Sequence, residues 1–151
     1  SNKTRTAAEN FSWVHSVDRL KIAQRLSAQR PEHMAPLNLC LQINIDNEPS
    51  KSGFSPQQAL EAAVEIADLP NIVLRGLMAI PRARAELAEQ RIPFAQLREL
   101  KDQMNELLDN SRKLDTLSMG MSGDMEAAIL EGATIVRVGT DIFGSREKQS
   151  T

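Results

Sequence analysis

Tyrosine is absent from this 151-residue chain, aromatic residues make up 3% of it, and cysteine occurs once. A lone cysteine excludes an intrachain disulfide and suits a reducing compartment. So few aromatics leave no platform on which bases could stack. The 18 Lys and Arg against 20 Asp and Glu, a net charge of −2, form no basic stripe, so nucleic acid is set aside as a partner. No apolar run approaches the roughly 18 residues of a membrane span, and Ser1-Asn-Lys-Thr-Arg5 lacks the apolar core of a signal peptide. The expectation is a cytoplasmic protein with no membrane contact.

What the chain does have is alternation. Trp13–Val17 is a short β-prone run, after which Asp18 is placed to cap a helix with Leu20, Ala23 and Leu26 on one face. From Leu37 to Asp46 the odd positions Leu37, Leu39, Leu41, Ile43 and Ile45 are aliphatic, while Asn38, Cys40, Gln42, Asn44 and Asp46 are mostly polar, the period of a strand. Ser55-Pro56 offers an N-cap followed by proline at the first helical position, with Ala59, Ala63, Val64 and Ala67 as the buried stripe and Pro70 as the stop. Ile72–Ile80 reads as a third strand halted by Pro81. Residues 82–92 read as a solvated, charged stretch, and Pro93 is expected to open a helix carrying Leu97, Leu100, Met104, Leu107 and Leu108 as far as Asn110. Thr116–Met119 and Thr134–Val138 are the last strands, with a helix Asp124–Glu131 between them and Gly132 as its C-cap.

Strand and helix alternating in this way predict a parallel α/β fold. The polar face of the second strand argues against an open doubly wound sheet, whose strands are apolar on both faces, and for a barrel with a polar, ligand-holding interior. A complete (β/α)8 barrel takes roughly 200 residues or more. The expected fold class is therefore α/β, a partial (β/α)8 TIM barrel of about five parallel strands with intervening helices, forming a single domain over residues 1–151.

Chemistry concentrates between residues 116 and 144. Ser118, Gly120, Ser122 and Gly123 at one strand end, and Gly139 and Thr140 at the next, bring hydroxyls and glycine-freed backbone N–H groups where they can converge on one phosphate-like anion. Arg137 stands in the second of these strands; Val136 and Val138 share the opposite face, so Arg137 is expected to point inward. The plainer alternative is a tight βα loop whose Asp124 complements a helix dipole, with Arg137 reaching solvent. Two successive anion-competent ends favour binding. His15 and His33 have no second ligand at metal spacing and receive no role. Cys40 reads as packing, Lys3 and Lys51 as solvated charges, and Met78, Met119, Met121 and Met125 as gap-fillers more readily than as a lining for a flat ring.

Leu117-Ser-Met-Gly-Met-Ser-Gly-Asp-Met-Glu-Ala-Ala-Ile129 followed by Gly132-Ala-Thr-Ile-Val-Arg-Val-Gly-Thr-Asp-Ile-Phe-Gly144 resembles the pyridoxal phosphate homeostasis proteins. So do Leu74-Arg-Gly-Leu-Met-Ala-Ile-Pro81, His15-Ser-Val-Asp-Arg19, Gln42-Ile-Asn44, Ser50-Lys-Ser-Gly-Phe54 and Ser1-Asn-Lys3, the last resembling the end of the family's third-strand motif. The resemblance implies a fold related to the N-terminal barrel of alanine racemase, binding of pyridoxal 5′-phosphate, and a role in buffering and delivering that cofactor without catalytic turnover. By the same resemblance, Ser122 with Gly139 and Thr140 would hold the phosphate, Ser118 and Gly120 would line the mouth, and Arg137 would face the pyridine nitrogen. An arginine there keeps that nitrogen unprotonated and weakens the ring as an electron sink. The family's Schiff-base lysine, in a Val-Ser-Lys-like context on the first strand, is not among these residues. The resemblance thus implies a chain that begins after about three βα units, as a fragment or truncated product, and binds its ligand weakly and non-covalently. Its exposed sheet edges would call for the missing N-terminal barrel segment or for self-association with a second copy.

Two other functions stay open on the sequence. One is a pyridoxal-phosphate-dependent amino-acid racemase or decarboxylase-like enzyme; the missing tyrosine counts against it, because racemisation in that family needs an opposed lysine and tyrosine. The other is a structural half-barrel without ligand.

Overall fold

The computed structural model describes residues 2–137, with side chains from Lys3 onward. Helix α1 (Asn2–Asn10) leads to β1 (Trp13–Val17), α2 (Leu20–Gln29), β2 (Leu37–Gln42), α3 (Pro56–Ala67), β3 (Ile72–Ala79), α4 (Leu87–Leu107), a 3-10 turn (Asn110–Arg112), β4 (Thr116–Met119) and α5 (Met125–Leu130). The four strands lie side by side in chain order, each parallel to the next. Beyond β4, Ile135 makes an isolated parallel bridge to Ser118. Val138 of the expected fifth strand lies outside the described residues.

The alternation along β2 decides the layering. Leu37, Leu39 and Leu41 are fully buried in one apolar cluster with Leu74, Leu77 and Leu117 of the neighbouring strands and with Ala63, Ile66, Phe94, Leu97 and Met104 of the helices. The other face is polar. There Arg75 Nη1 donates to Asn38 Oδ1 at 3.1 Å and its guanidinium lies 4.7 Å from the Trp13 ring centroid, while the register aligns Gln42, Met78 and Ser118. A register shift between Leu39 and Cys40 leaves Arg75 without a β2 partner, because Leu39 pairs with Leu74 and Cys40 with Gly76. At Gly76 a Cβ would stand 1.8 Å from the Thr116 carbonyl oxygen, so only glycine lets β3 and β4 approach.

Local chemistry accounts for most element ends. Ser55 caps α3 as part of a full capping box with Gln58, and Pro56 takes the first turn. Gly132, at φ 98°, follows α5 in the left-handed region. Arg30 is buried and stitches three segments together: Nη1 donates to the carbonyls of Ala8 (2.9 Å) and Phe11 (2.6 Å), and Nε and Nη2 to that of Ala35 (3.0 and 2.8 Å).

Four expectations are corrected. The strand pattern read from Leu37 to Asp46 yields a strand only to Gln42, with Ile43 in an isolated bridge to Phe54. Arg19, not Asp18, is the N-cap of α2, and no side chain caps that helix. Helix α4 starts at Leu87 and carries Pro93 inside it; proline withholds the N–H that would reach Glu89, but Pro93 and Phe94 are both buried, and packing holds the helix across the gap. The same helix stops at Leu107, where Lys113 Nζ donates to the carbonyls of Asn105 (2.6 Å) and Leu108 (3.4 Å).

Candidate functional site

The C-terminal end of β4 gathers the polar groups of the inner face. Ser118 is fully buried; its Oγ lies 2.9 Å from Nδ1 of His15 on β1, and Arg137 Nη2 donates to it at 3.4 Å. The hydroxyl oxygen has two lone pairs and one proton, so beside the Arg137 donor it pairs with either tautomer of His15. Burial, and secondly the Arg137 charge, hold the His15 pKa below its ordinary value, so the imidazole is neutral at pH 7 and a poor base toward Ser118. Arg137 is half-buried; burial lowers its pKa too, but guanidinium stays charged at neutral pH. Among the described residues it has no carboxylate partner. Arg75, on the same face, differs: Asp115 accepts from it at 3.0 and 2.9 Å, which raises the arginine and lowers the aspartate pKa. Cys40 is fully buried beneath these groups, and burial pushes its thiol up to about 12, so it stays protonated.

The turn after β4 is built by its own polar groups. Gly120 takes φ 101°, its carbonyl accepts the Arg137 N–H at 2.9 Å, and a Cβ there would meet that of Ala128 at 2.6 Å. Asp124 closes the turn, its Oδ1 accepting from the Met121 N–H at 2.8 Å and its own N–H donating to the Met121 carbonyl at 3.1 Å. The N–H groups of Ser122 and Gly123 are left without a protein acceptor among the described residues, and Gly123 faces open space. Glu131, just past α5, is buried and paired with Arg91 (2.6 Å) and Arg98; the Arg91 hydrogen bond foremost lowers its pKa, and the pair fastens α5 to α4.

Of the six residues singled out from the sequence, Ser118, Gly120 and Arg137 are brought into hydrogen-bond contact, and Ser122 occupies the adjoining turn. Gly139 and Thr140 lie outside the described residues. His15, given no role from sequence, stands against Ser118, 103 residues away, with its ring centroid 5.6 Å from that of Trp13; no local pattern marks it. Lys51 is engaged with the Ile80 carbonyl (3.2 Å) and Glu48 (3.4 Å). No group of three or more His, Cys, Asp or Glu able to hold a metal exists among the described residues, and no helix there is long and apolar enough to cross a membrane. The arrangement presents a fixed cation, a hydroxyl and unclaimed N–H donors, which suits an anionic ligand carrying a hydrogen-bond acceptor.

Comparison with known proteins agrees. The family described as alanine racemase, N-terminal domain, matches residues 1–147. The chain is 60% identical over 147 residues to the pyridoxal phosphate homeostasis protein of Pseudomonas aeruginosa, covering 97% of this chain and 61% of that protein, and 54% identical to the protein of the same name from Vibrio cholerae, with the same coverage. The chain therefore spans about three fifths of the length of these relatives. PipY of Synechococcus elongatus PCC7942, solved without PLP and with PLP bound, is similar with TM-scores of 0.86 and 0.84 at 38% and 37% identity, covering 95% of this chain and 66% of PipY. These similarities make the parallel sheet an arc of the alanine racemase type of (β/α)8 barrel.

Proposed function

Since the chain belongs to the alanine racemase N-terminal domain family, we propose that it binds pyridoxal 5′-phosphate, or a phosphate-like anion in its place, and serves in cytoplasmic buffering and delivery of that cofactor without catalytic turnover. The observation that carries this reading is Arg137: half-buried, without a carboxylate among the described residues, and 3.4 Å from a buried serine hydroxyl. Such a cation is costly to hold unless a ligand answers it. The names of the relatives and the PLP-bound PipY structure support the choice of ligand.

When bound, pyridoxal phosphate supplies an electrophilic carbonyl conjugated to an electron-withdrawing ring. The chain's own groups take the following parts. Arg137 would face the pyridine nitrogen and donate to it, keeping a proton off that atom. Ser122 and the free N–H groups of its turn, together with Gly139 and Thr140, would hold the phosphate, while Ser118 and Gly120 would line the mouth. His15, neutral, fixes the Ser118 hydroxyl. With no tyrosine in the chain, the opposed acid–base pair of a racemase has no second member, and the racemase or decarboxylase reading falls behind. The lone cysteine, buried and free, suits a reducing cytoplasm.

Equilibrium dialysis of the 151-residue chain against pyridoxal phosphate, followed by borohydride reduction and peptide mapping, tests the proposal. The expected result is saturable binding that Arg137→Met weakens by at least tenfold, with no pyridoxyl adduct. Absence of binding, or a stoichiometric adduct on Lys3, Lys51 or another lysine of this chain, would overturn it, as would racemised or decarboxylated amino acid in the incubation.

A further inference from the structure

Three strand-end loops are tied together beside the turn. Asp46, after β2, accepts the Arg82 backbone N–H at 2.7 Å and Arg84 Nη2 at 2.6 Å, both residues belonging to the segment between β3 and α4. The pair is well covered, its side chains 16% and 10% exposed. Burial tends to raise the Asp46 pKa, but the Arg84 and Arg82 hydrogen bonds outweigh it and the net direction is downward, so the carboxylate stays ionised. The Arg84 carbonyl in turn accepts Gln90 Nε2 at 2.7 Å, and the same Nε2 donates to the Gly123 carbonyl at 3.2 Å.

We propose that Gln90 is a positioning residue for the anion-binding turn, clamping the Gly123 carbonyl to the Asp46–Arg84 pair and so orienting the Ser122 and Gly123 N–H groups. The proposal rests on the pyridoxal phosphate reading above and assigns this clamp to the phosphate end of the ligand. Gly123 has no side chain and open space around it, so its backbone is the least constrained point of the turn. Fixing that carbonyl fixes the Gly123–Asp124 peptide plane; with Asp124 also bonded to Met121 through its Oδ1 and its N–H, the two planes that carry the Ser122 and Gly123 N–H groups are held between anchored ends. Gln90 is suited to do this because it projects from α4, a 21-residue helix anchored by the buried Phe94, Leu97 and Leu100. Its amide contributes two N–H bonds, and only one nitrogen serves both carbonyls.

Three ligands measured on the full 151-residue chain separate this role from a structural one: pyridoxal phosphate, inorganic phosphate, and pyridoxal, which lacks the phosphate. Gln90→Ala should weaken the first two by roughly three- to tenfold, the factor one such hydrogen bond is worth, and leave pyridoxal unchanged. Gln90→Glu, which cannot donate to two carbonyls, should be no better than alanine, and Gln90→Lys, whose ammonium can, should restore most of the loss. Equal weakening of pyridoxal and pyridoxal phosphate would show general loosening and overturn the proposal; so would unchanged phosphate affinity in Gln90→Ala. Should the parent chain bind none of the three, the ligand reading fails and takes this inference with it. Unchanged variants of a parent that does bind refute the clamp alone.

Discussion

Replacing Gly76 with alanine should destabilise the fold by about 3 kcal/mol or more. The added Cβ would stand 1.8 Å from the Thr116 oxygen, 2.6 Å from its carbonyl carbon and 2.9 Å from its Cα, all backbone atoms that no rotamer change can move. Restoring even 3.0 Å requires β3 and β4 to part by about 1.2 Å at this point, the difference between 3.0 and 1.8. The Gly76–Thr116 pair opens a ladder that continues through Leu77–Leu117, Met78–Ser118 and Ala79–Met119. Overpacking of this kind costs about 1–3 kcal/mol, and each ladder bond stretched beyond range adds about 0.5–1.5. For a chain of this size each kcal/mol lowers Tm by about 2–4 °C, so a drop of about 6–12 °C is expected in thermal unfolding followed by circular dichroism. Gly123→Ala is the internal control: its Cβ meets nothing within 4 Å, and its Tm should move by no more than about 2 °C. Ligand affinity should fall in the Gly76 variant as well, since the displaced strand carries Ser118. A Gly76→Ala chain that melts within about 2 °C of the parent would refute the close-approach argument.

Stability should decline as pH falls below the ordinary histidine value of about 6.5. There the unfolded chain takes up a proton that His15, its pKa lowered in the fold, does not, and the slope is at most about 1.4 kcal/mol per pH unit. The carboxylates with lowered pKa, Asp46, Asp109, Asp115 and Glu131, lose their contribution only below about pH 5, so His15→Asn should flatten the curve between pH 5 and 6.5 in urea titrations; an unchanged slope would remove His15 as its source. Arg30→Ala strips the carbonyls of Ala8, Phe11 and Ala35 of a buried donor and should cost about 3 kcal/mol in urea unfolding, with Arg30→Lys recovering little because one ammonium cannot reach all three. A midpoint equal to the parent's would show that water serves those carbonyls as well.

Where the sequence was readable, short-range physics sufficed. The aliphatic alternation from Leu37 and the Ser55-Pro56 start involve neighbours within a few residues; the helix starts where the pattern puts it, and the strand starts at Leu37 but ends at Gln42, short of Asp46. Pro93 misled because a proline rule built on the first helical turn knows nothing of the pocket that buries Pro93 and Phe94. His15 was unreadable for a different reason. Its partner Ser118 lies 103 residues away, and β1 has a register irregularity between Val14 and Val17, so simple alternation does not carry through the strand. Gln90 looks like any polar residue near a helix start until the turn after β4 is placed beside it.

Arg137 was legible for an energetic reason. An arginine placed between Val136 and Val138 in a strand-like stretch must either reach solvent or turn inward, and the N–H of Arg137 on the Gly120 carbonyl fixes which. The valine is then left to the helix side, where a Gly120 Cβ would meet it at 3.4 Å, and the guanidinium to the serine. A half-buried cation offered only a hydroxyl is incompletely compensated. That deficit is a property of the folded chain alone, and an acceptor atom of a bound ligand, such as an unprotonated pyridine nitrogen, would reduce it.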